Sequence, residues 1–172
     1  MCRAFLSPWY EKGGMYQEDE NDVPVFEGRF NCGVISLNLP MILAKSRQES
    51  KDFYEVLDYY LELIRNHHKR TMDYIGEIRA STNPVMFCEG GLYGGNLKPE
   101  EKIKSILAPM TISYGVTALN ELQILYNGKS LVEDGEFALE VVSHINDYID
   151  RIKKEDGILY ALYGTPKHKW AA

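Results

Sequence analysis

Apolar residues along this chain follow strand-like spacing in three short stretches and helical spacing between them. Val34-Ile35-Ser36-Leu37-Asn38-Leu39 reads as a strand that Pro40 stops. Over residues 50–79 the period turns helical. Phe53, Val56, Leu57, Tyr60, Leu61, Ile64, Met72, Ile75 and Ile78 share one helix face, so a single unusually long helix is expected, ended by Asn83-Pro84. A glycine-rich loop over 89–96 follows, then Pro99, placed for the first turn of a short helix through Leu107. Residues 110–114 predict a second strand. After Gly115 a helix runs to Tyr126, closed by Asn127-Gly128 as helix C-termini prefer. A longer amphipathic helix, over about 133–155, carries Phe137, Val141, Val142, Ile145, Tyr148, Ile149 and Ile152 on one face. Gly157 ends it, and residues 158–162 predict a third strand.

Residues 1–33 break this rhythm with Gly13-Gly14, Pro24 and many charges, and read as an irregular excursion. From there the order strand, helix, strand, helices, strand is that of parallel βαβ units. The fold class is therefore α/β and helix-rich. Three strands leave bare edges and an uncovered sheet flank, the signature of part of a larger sheet or barrel.

Composition narrows the function classes. The 172 residues are 45% hydrophobic and 26% charged, as in a globular domain, with a formal net charge of -6. That charge speaks against a nucleic-acid surface, which needs a basic excess, but not against a single nucleotide. No stretch approaches the roughly 20 apolar residues of a membrane span, and no leader pattern opens the chain. Three irregularly spaced cysteines make no disulfide framework, so the expected compartment is the cytoplasm.

Two segments carry chemistry. One is Met1-Cys2-Arg3-Ala4-Phe5-Leu6, with Trp9 shortly after. The other is Gly28-Arg29-Phe30-Asn31-Cys32-Gly33-Val34, continuing to Leu37-Asn38-Leu39-Pro40. Together they resemble the finger loop and adjoining strand of anaerobic (class III) ribonucleotide reductases. Asn83-Pro84 with Phe87, and the stretch from Gly115 through Leu119-Asn120-Glu121, follow in the order of that family, so the resemblance reaches about Pro166. It implies part of a ten-stranded α/β barrel with the finger loop at its N-terminus. Residues 1–166 would form a partial catalytic barrel, with 1–33 as finger loop and excursion and 34–166 as strand–helix units. Residues 167–172 form a divergent tail.

By this resemblance Cys2 is the cysteine that becomes a thiyl radical and abstracts the 3′-hydrogen of the substrate ribose. An S–H bond is weak enough to exchange hydrogen atoms with carbon, and a dry site protects the radical. Asn31 stands where other reductase classes tend to use glutamate. Its amide can hydrogen-bond ribose hydroxyls but cannot serve as a general base, which fits the branch that uses formate as reductant. Asn-x-Gly ahead of Gly33 is also a common turn signature. Gly115 and Asn120 lie in a stretch joining a strand to a helix, where backbone N–H groups suit the substrate triphosphate. The family pattern has a second glycine at Ala118, and a plain helix start with Thr117 near the cap accounts for the same residues.

Other features read as structural. Along an extended strand Cys32 points away from Asn31, which makes it a core residue, and Cys88 is read likewise. Gly128-Lys129-Ser130 lacks the P-loop glycine, since Gln123 stands in its place. His67 and His68 are adjacent and cannot share a helix face, so no metal pair is expected.

The resemblance implies a parent that converts ribonucleoside triphosphates to deoxyribonucleotides. It further implies a glycyl radical, zinc in a C-terminal region, formate, ATP and dNTP effectors, a radical-SAM activating enzyme and a homodimer. The glycyl segment, the zinc cysteines and the ATP-cone have no counterpart in these residues, so a truncated or excised piece that does not turn over by itself is expected. Two rivals are a fragment of another glycyl-radical enzyme, such as a relative of pyruvate formate-lyase, and a non-catalytic scaffold. Bare edges and uncovered apolar stripes generate one physical expectation. The free chain should self-associate or form a loosely packed helical state, seen by light scattering and weak near-UV circular dichroism; a rigid monomer with a cooperative melt would contradict the barrel-fragment reading.

Overall fold

The structure, a computed structural model, describes residues 6–164. Before the first strand the chain folds on itself irregularly, with Tyr10 bridged to both Gly14 and Pro24. The buried Asp22 carboxylate holds this excursion together by accepting from the backbone N–H groups of Lys12, Gly13 and Glu18. Strand β1, Asn31–Asn38, then runs directly into helix α1, Leu39–Glu49. Pro40 does not end the ordered structure. It occupies the first helical turn, where a missing N–H is harmless, and Asn38 Oδ1 caps the helix by accepting from Met41 N at 3.2 Å. The buried face Leu39, Ile42, Leu43 and Ser46 has helical spacing that the preceding β-like run concealed.

Helix α2, Phe53–Gly76, carries the long apolar stripe and is capped by Asp52, which accepts from Tyr54 N and Glu55 N. It ends earlier than Asn83. At Gly76 another segment crosses so closely that a Cβ would lie 3.2 Å from the Lys104 Cβ. Asn83 instead caps the four-residue helix α3, Pro84–Phe87. Pro99 starts no helix; only a 3-10 turn, Ile103–Ile106, forms beyond it. Strand β2, Thr111–Thr117, helix α4, Leu119–Asn127, helix α5, Glu136–Asp156, and strand β3, Leu159–Gly164, complete the chain. Gly128 and Gly157 close α4 and α5 in the left-handed conformation, as the sequence leads one to expect.

The three strands form one parallel sheet in the order β1-β2-β3. Ile35 pairs with Tyr114, Leu37 with Val116, and Ile112 with Tyr160, so these side chains share one face. Helices α1, α2, α4 and α5 bury that face in a continuous core that includes Leu57, Leu61, Leu122, Val141, Ile145 and Ile152. Full burial of such side chains contributes about 1.5–3 kcal/mol each. A second, smaller cluster of Ala80, Leu92, Ile103, Ile106, Leu107 and Met110 packs under the loops after α2. Among the described residues the result is a mixed α/β fold with a small parallel sheet, helices on one face and open edges at β1 and β3.

One ion cluster fixes the helix layer to the sheet. Arg65 on α2 grips both oxygens of Asp156, at 2.8 and 2.7 Å, and Asp156 also accepts from Lys69 Nζ and Tyr160 Oη. The bidentate guanidinium holds the Asp156 carboxyl well below the usual carboxylate range. Through it, α2 sets where α5 ends and β3 begins.

His68 performs a similar task under the middle strand. It is 1% exposed, its Nε2–H donates to the Ser113 carbonyl at 3.1 Å, and its ring stands edge-on to Tyr114. Desolvation pushes its pKa down from 6.5 to about 4, against the raising effect of the Ser113 bond. The folded state thus favours neutral His68. Its contribution is complete above pH 6.5 and is lost as pH falls toward 4, because the unfolded chain then binds a proton that the folded chain refuses. The full window is worth about 3 kcal/mol. Hydrogen exchange of the β2 amides, corrected for intrinsic rate, should show protection declining across that window, and His68→Gln should flatten the decline; an unchanged pH dependence in the variant would place its origin elsewhere.

Candidate active site

Strand β2 alternates between two kinds of residue. Ile112, Tyr114 and Val116 meet the helices, whereas Thr111, Ser113, Gly115 and Thr117 are small and face the other side. Register places Val34, Ser36 and Asn38 of β1 beside them, all exposed. The helix-free face is therefore polar.

Asn31 lies at the start of β1 on this face. Between Asn31 and Val34 the strand bulges relative to β2, and the Asn31 amide bridges the irregularity. Its Oδ1 accepts from Gly33 N at 3.0 Å, and its Nδ2 donates to Ser113 Oγ at 2.6 Å. The turn-like contact with Gly33 is thus real, and the same two bonds hold the amide in a defined orientation. Ser113 is fully buried and is held from behind by His68. Ser113 and His68 went unrecognised in the sequence. The signal that could have found them is the run of small polar residues at every second position of a strand otherwise made of Ile, Tyr and Val.

The excursion returns to the same face. Ser7 N donates to Thr111 Oγ1 at 3.1 Å, so the chain just after the first motif is attached to β2 at the level of Asn31, with which Thr111 pairs. Arg29 is also buried there. Its Nε donates to Pro109 O and one terminal nitrogen to Val25 O, both at 2.6 Å, while the other terminal nitrogen reaches Thr111 Oγ1 at 3.4 Å. Cys2, the expected radical cysteine, lies outside the described residues.

The strand–helix junction differs from the expectation. Gly115 is inside β2, not at the turn. A Cβ there would meet Ser36 Oγ at 2.3 Å, so the glycine makes room for β1. Helix α4 begins after Ala118, which adopts the left-handed conformation at φ 61. That costs an L-residue about 1–2 kcal/mol, which explains why a glycine suits the position. Thr117 does not cap the helix; its hydroxyl donates to Leu37 O. Asn120 Oδ1 accepts from Leu131 N at 3.1 Å and so tethers the α4–α5 loop.

Cys32 packs against both apolar clusters on the helix side, opposite Asn31, and burial pushes its thiol up to about 12. A thiol so disfavoured as thiolate is a core residue. Cys88 packs against the smaller cluster. Among the described residues no group of three His, Cys, Asp or Glu side chains could hold a metal ion, and no helix is long and apolar enough to cross a membrane.

Known proteins share this pattern. The profile of a family described as anaerobic ribonucleoside-triphosphate reductase matches residues 1–171. Enzymes of that name from Haemophilus influenzae, Escherichia coli and Enterobacteria phage T4 are 31%, 28% and 25% identical over 171 residues, 96% of this chain. The matched region is 23%, 23% and 26% of those relatives, so the chain spans about a quarter of their length. A match over residues 1–171, through both motif segments and all three strands, shows that the chain belongs to the anaerobic ribonucleoside-triphosphate reductase family.

Proposed function

We propose that these residues supply the substrate-facing strand and the finger-loop cysteine of an enzyme that reduces ribonucleoside triphosphates to deoxyribonucleoside triphosphates. One observation carries the reading. The chain just after the first motif and the start of the second are anchored on one polar sheet face: Ser7 is tied to Thr111, and Asn31 to Ser113, on the same side of β2. Five residue steps lead from Cys2 to Ser7, a reach of at most about 18 Å. That reach covers the neighbourhood of Asn31.

In this proposal the Cys2 sulfur takes the 3′-hydrogen of the ribose, after which the 2′-hydroxyl departs as water. Cys2 would give up its own hydrogen atom beforehand to a glycyl radical elsewhere in the parent and take it back at the end of the turnover. With formate as reductant the balance closes: the ribonucleotide, formate and a proton yield the deoxyribonucleotide, carbon dioxide and water. Asn31 orients the ribose hydroxyls through its amide, and its fixation by Gly33 and Ser113 lowers the ordering cost of binding. Gly115 clears the face beside Ser36, and Asn120 acts through the loop it tethers. A three-stranded parallel sheet with helices on one face and two open edges supports its place in the ten-stranded barrel. Zinc, nucleotide effectors, a radical-SAM activating enzyme and a homodimer belong to the parent in this reading.

Activity of the full-length reductase that contains these residues tests it. Cys2→Ser should abolish reduction, because an O–H bond is too strong to serve as hydrogen-atom donor to a glycyl radical; retained turnover would remove Cys2 from the mechanism and favour the scaffold reading. Asn31→Asp separates the two roles of Asn31. A carboxylate can still accept from Gly33 N and can accept from the Ser113 hydroxyl, so the local fold is spared while the amide donor is lost. Turnover should fall by about tenfold, as expected for a hydrogen bond worth 0.5–1.5 kcal/mol. Parental kcat/KM in that variant would leave Asn31 with the bulge alone.

A further inference from the structure

Ser7, five positions after Cys2, is held to β2 through the Thr111 side chain. We infer that Thr111 and Arg29 are positioning residues for the Cys2 segment, the Thr111 hydroxyl gripping the Ser7 backbone and Arg29 locking that hydroxyl to the excursion. The inference rests on Cys2 being the residue that abstracts hydrogen, as proposed above.

Thr111 is fully buried, and its hydroxyl receives both Ser7 N–H and an Arg29 N–H. A hydroxyl has two acceptor lone pairs, so it can take both donors at once. Arg29, 8% exposed, spends its other bonds on the carbonyls of Val25 and Pro109. Its planar fork thereby joins the end of the excursion, the loop before β2, and β2 itself. Burying a guanidinium against carbonyl and hydroxyl acceptors is a costly way to obtain stability alone, since an apolar side chain could fill the space. What the arrangement does provide is geometry. Thr111 and Ser113 are successive residues on one face of β2, about 6.6 Å apart along the strand. One hydroxyl holds the segment leading from Cys2 and the next holds Asn31. The spacing between the Ser7 anchor and the Asn31 anchor is therefore set by a single step of one strand.

The experiment uses the full-length reductase with Thr111→Val, Thr111→Ser, Arg29→Lys and Cys2→Ser. Thr111→Val keeps the shape of the residue and removes the hydroxyl. It should lower kcat by about tenfold to a hundredfold, as a misplacement near 1 Å does, with KM for the ribonucleoside triphosphate changed by no more than about twofold. Anaerobic labelling with N-ethylmaleimide, followed by peptide mass spectrometry, should show Cys2 reacting several-fold faster while Cys32 and Cys88 keep their parental rates. Thr111→Ser should restore both readouts, and Arg29→Lys should fall between. Parental kcat and labelling in Thr111→Val, equal failure of Thr111→Ser, or faster labelling of all three cysteines would each overturn the inference, the last by revealing a purely structural role. An active Cys2→Ser enzyme would sink the reading of Cys2 instead, and the labelling pattern would then judge the grip on Ser7 by itself.

Discussion

Because β2 is covered at both faces, its seven residues have to satisfy two environments at once. Toward the helices it must be apolar and large, and Ile112, Tyr114 and Val116 fill that core. Toward the other side it must be small, because β1 and the excursion approach closely there, and Thr111, Ser113 and Gly115 comply. Small residues that are also buried are tolerated only if their polar groups find partners. The hydroxyls of Thr111 and Ser113 do so by accepting from Ser7, Arg29 and Asn31. The requirement to satisfy the back of one strand thus anchors Ser7, just after the first motif, on the same face as Asn31.

The helix layer makes that strand rigid. His68 enters from α2 and donates to the carbonyl of Ser113, the residue whose hydroxyl receives Asn31 on the opposite side. Arg65, one turn earlier on α2, fixes Asp156 and hence the entry into β3. A single helix therefore anchors both the middle strand and its neighbour. Asn31, bonded to the Ser113 hydroxyl, is thereby tied to the same anchored strand.

Particular residues show why parts of the site were legible. Asn31 was visible because its motif is local, and its turn reading and its site reading prove compatible: the Asx contact with Gly33 is what aims the amide. Cys32 was assigned to the core by strand alternation alone, and its packing on the helix side agrees. A glycine after a β-like run resembles a strand–helix boundary, yet Gly115 lies inside β2. The actual constraint is a contact with Ser36, distant in sequence, that no local pattern displays. Thr111, Ser113 and His68 escaped for the same reason, since each matters through a partner on another element.

Periodicity and end signals determined much of this protein by themselves. The stripe of α2, the glycine stops of α4 and α5, the parallel βαβ order and the family all follow from residues close together in the chain. Hydrophobic spacing and capping act within a few residues, so one stretch of sequence carries all the information they use. Tertiary structure decided the rest: that α2 ends at Gly76 where residue 104 crosses it, that Pro40 begins a helix, that Gly115 belongs inside a strand, and that Ser7 and Asn31 meet on one sheet face. These outcomes depend on steric approach and hydrogen bonding between residues up to a hundred positions apart, and such contacts exist only once the sheet has formed.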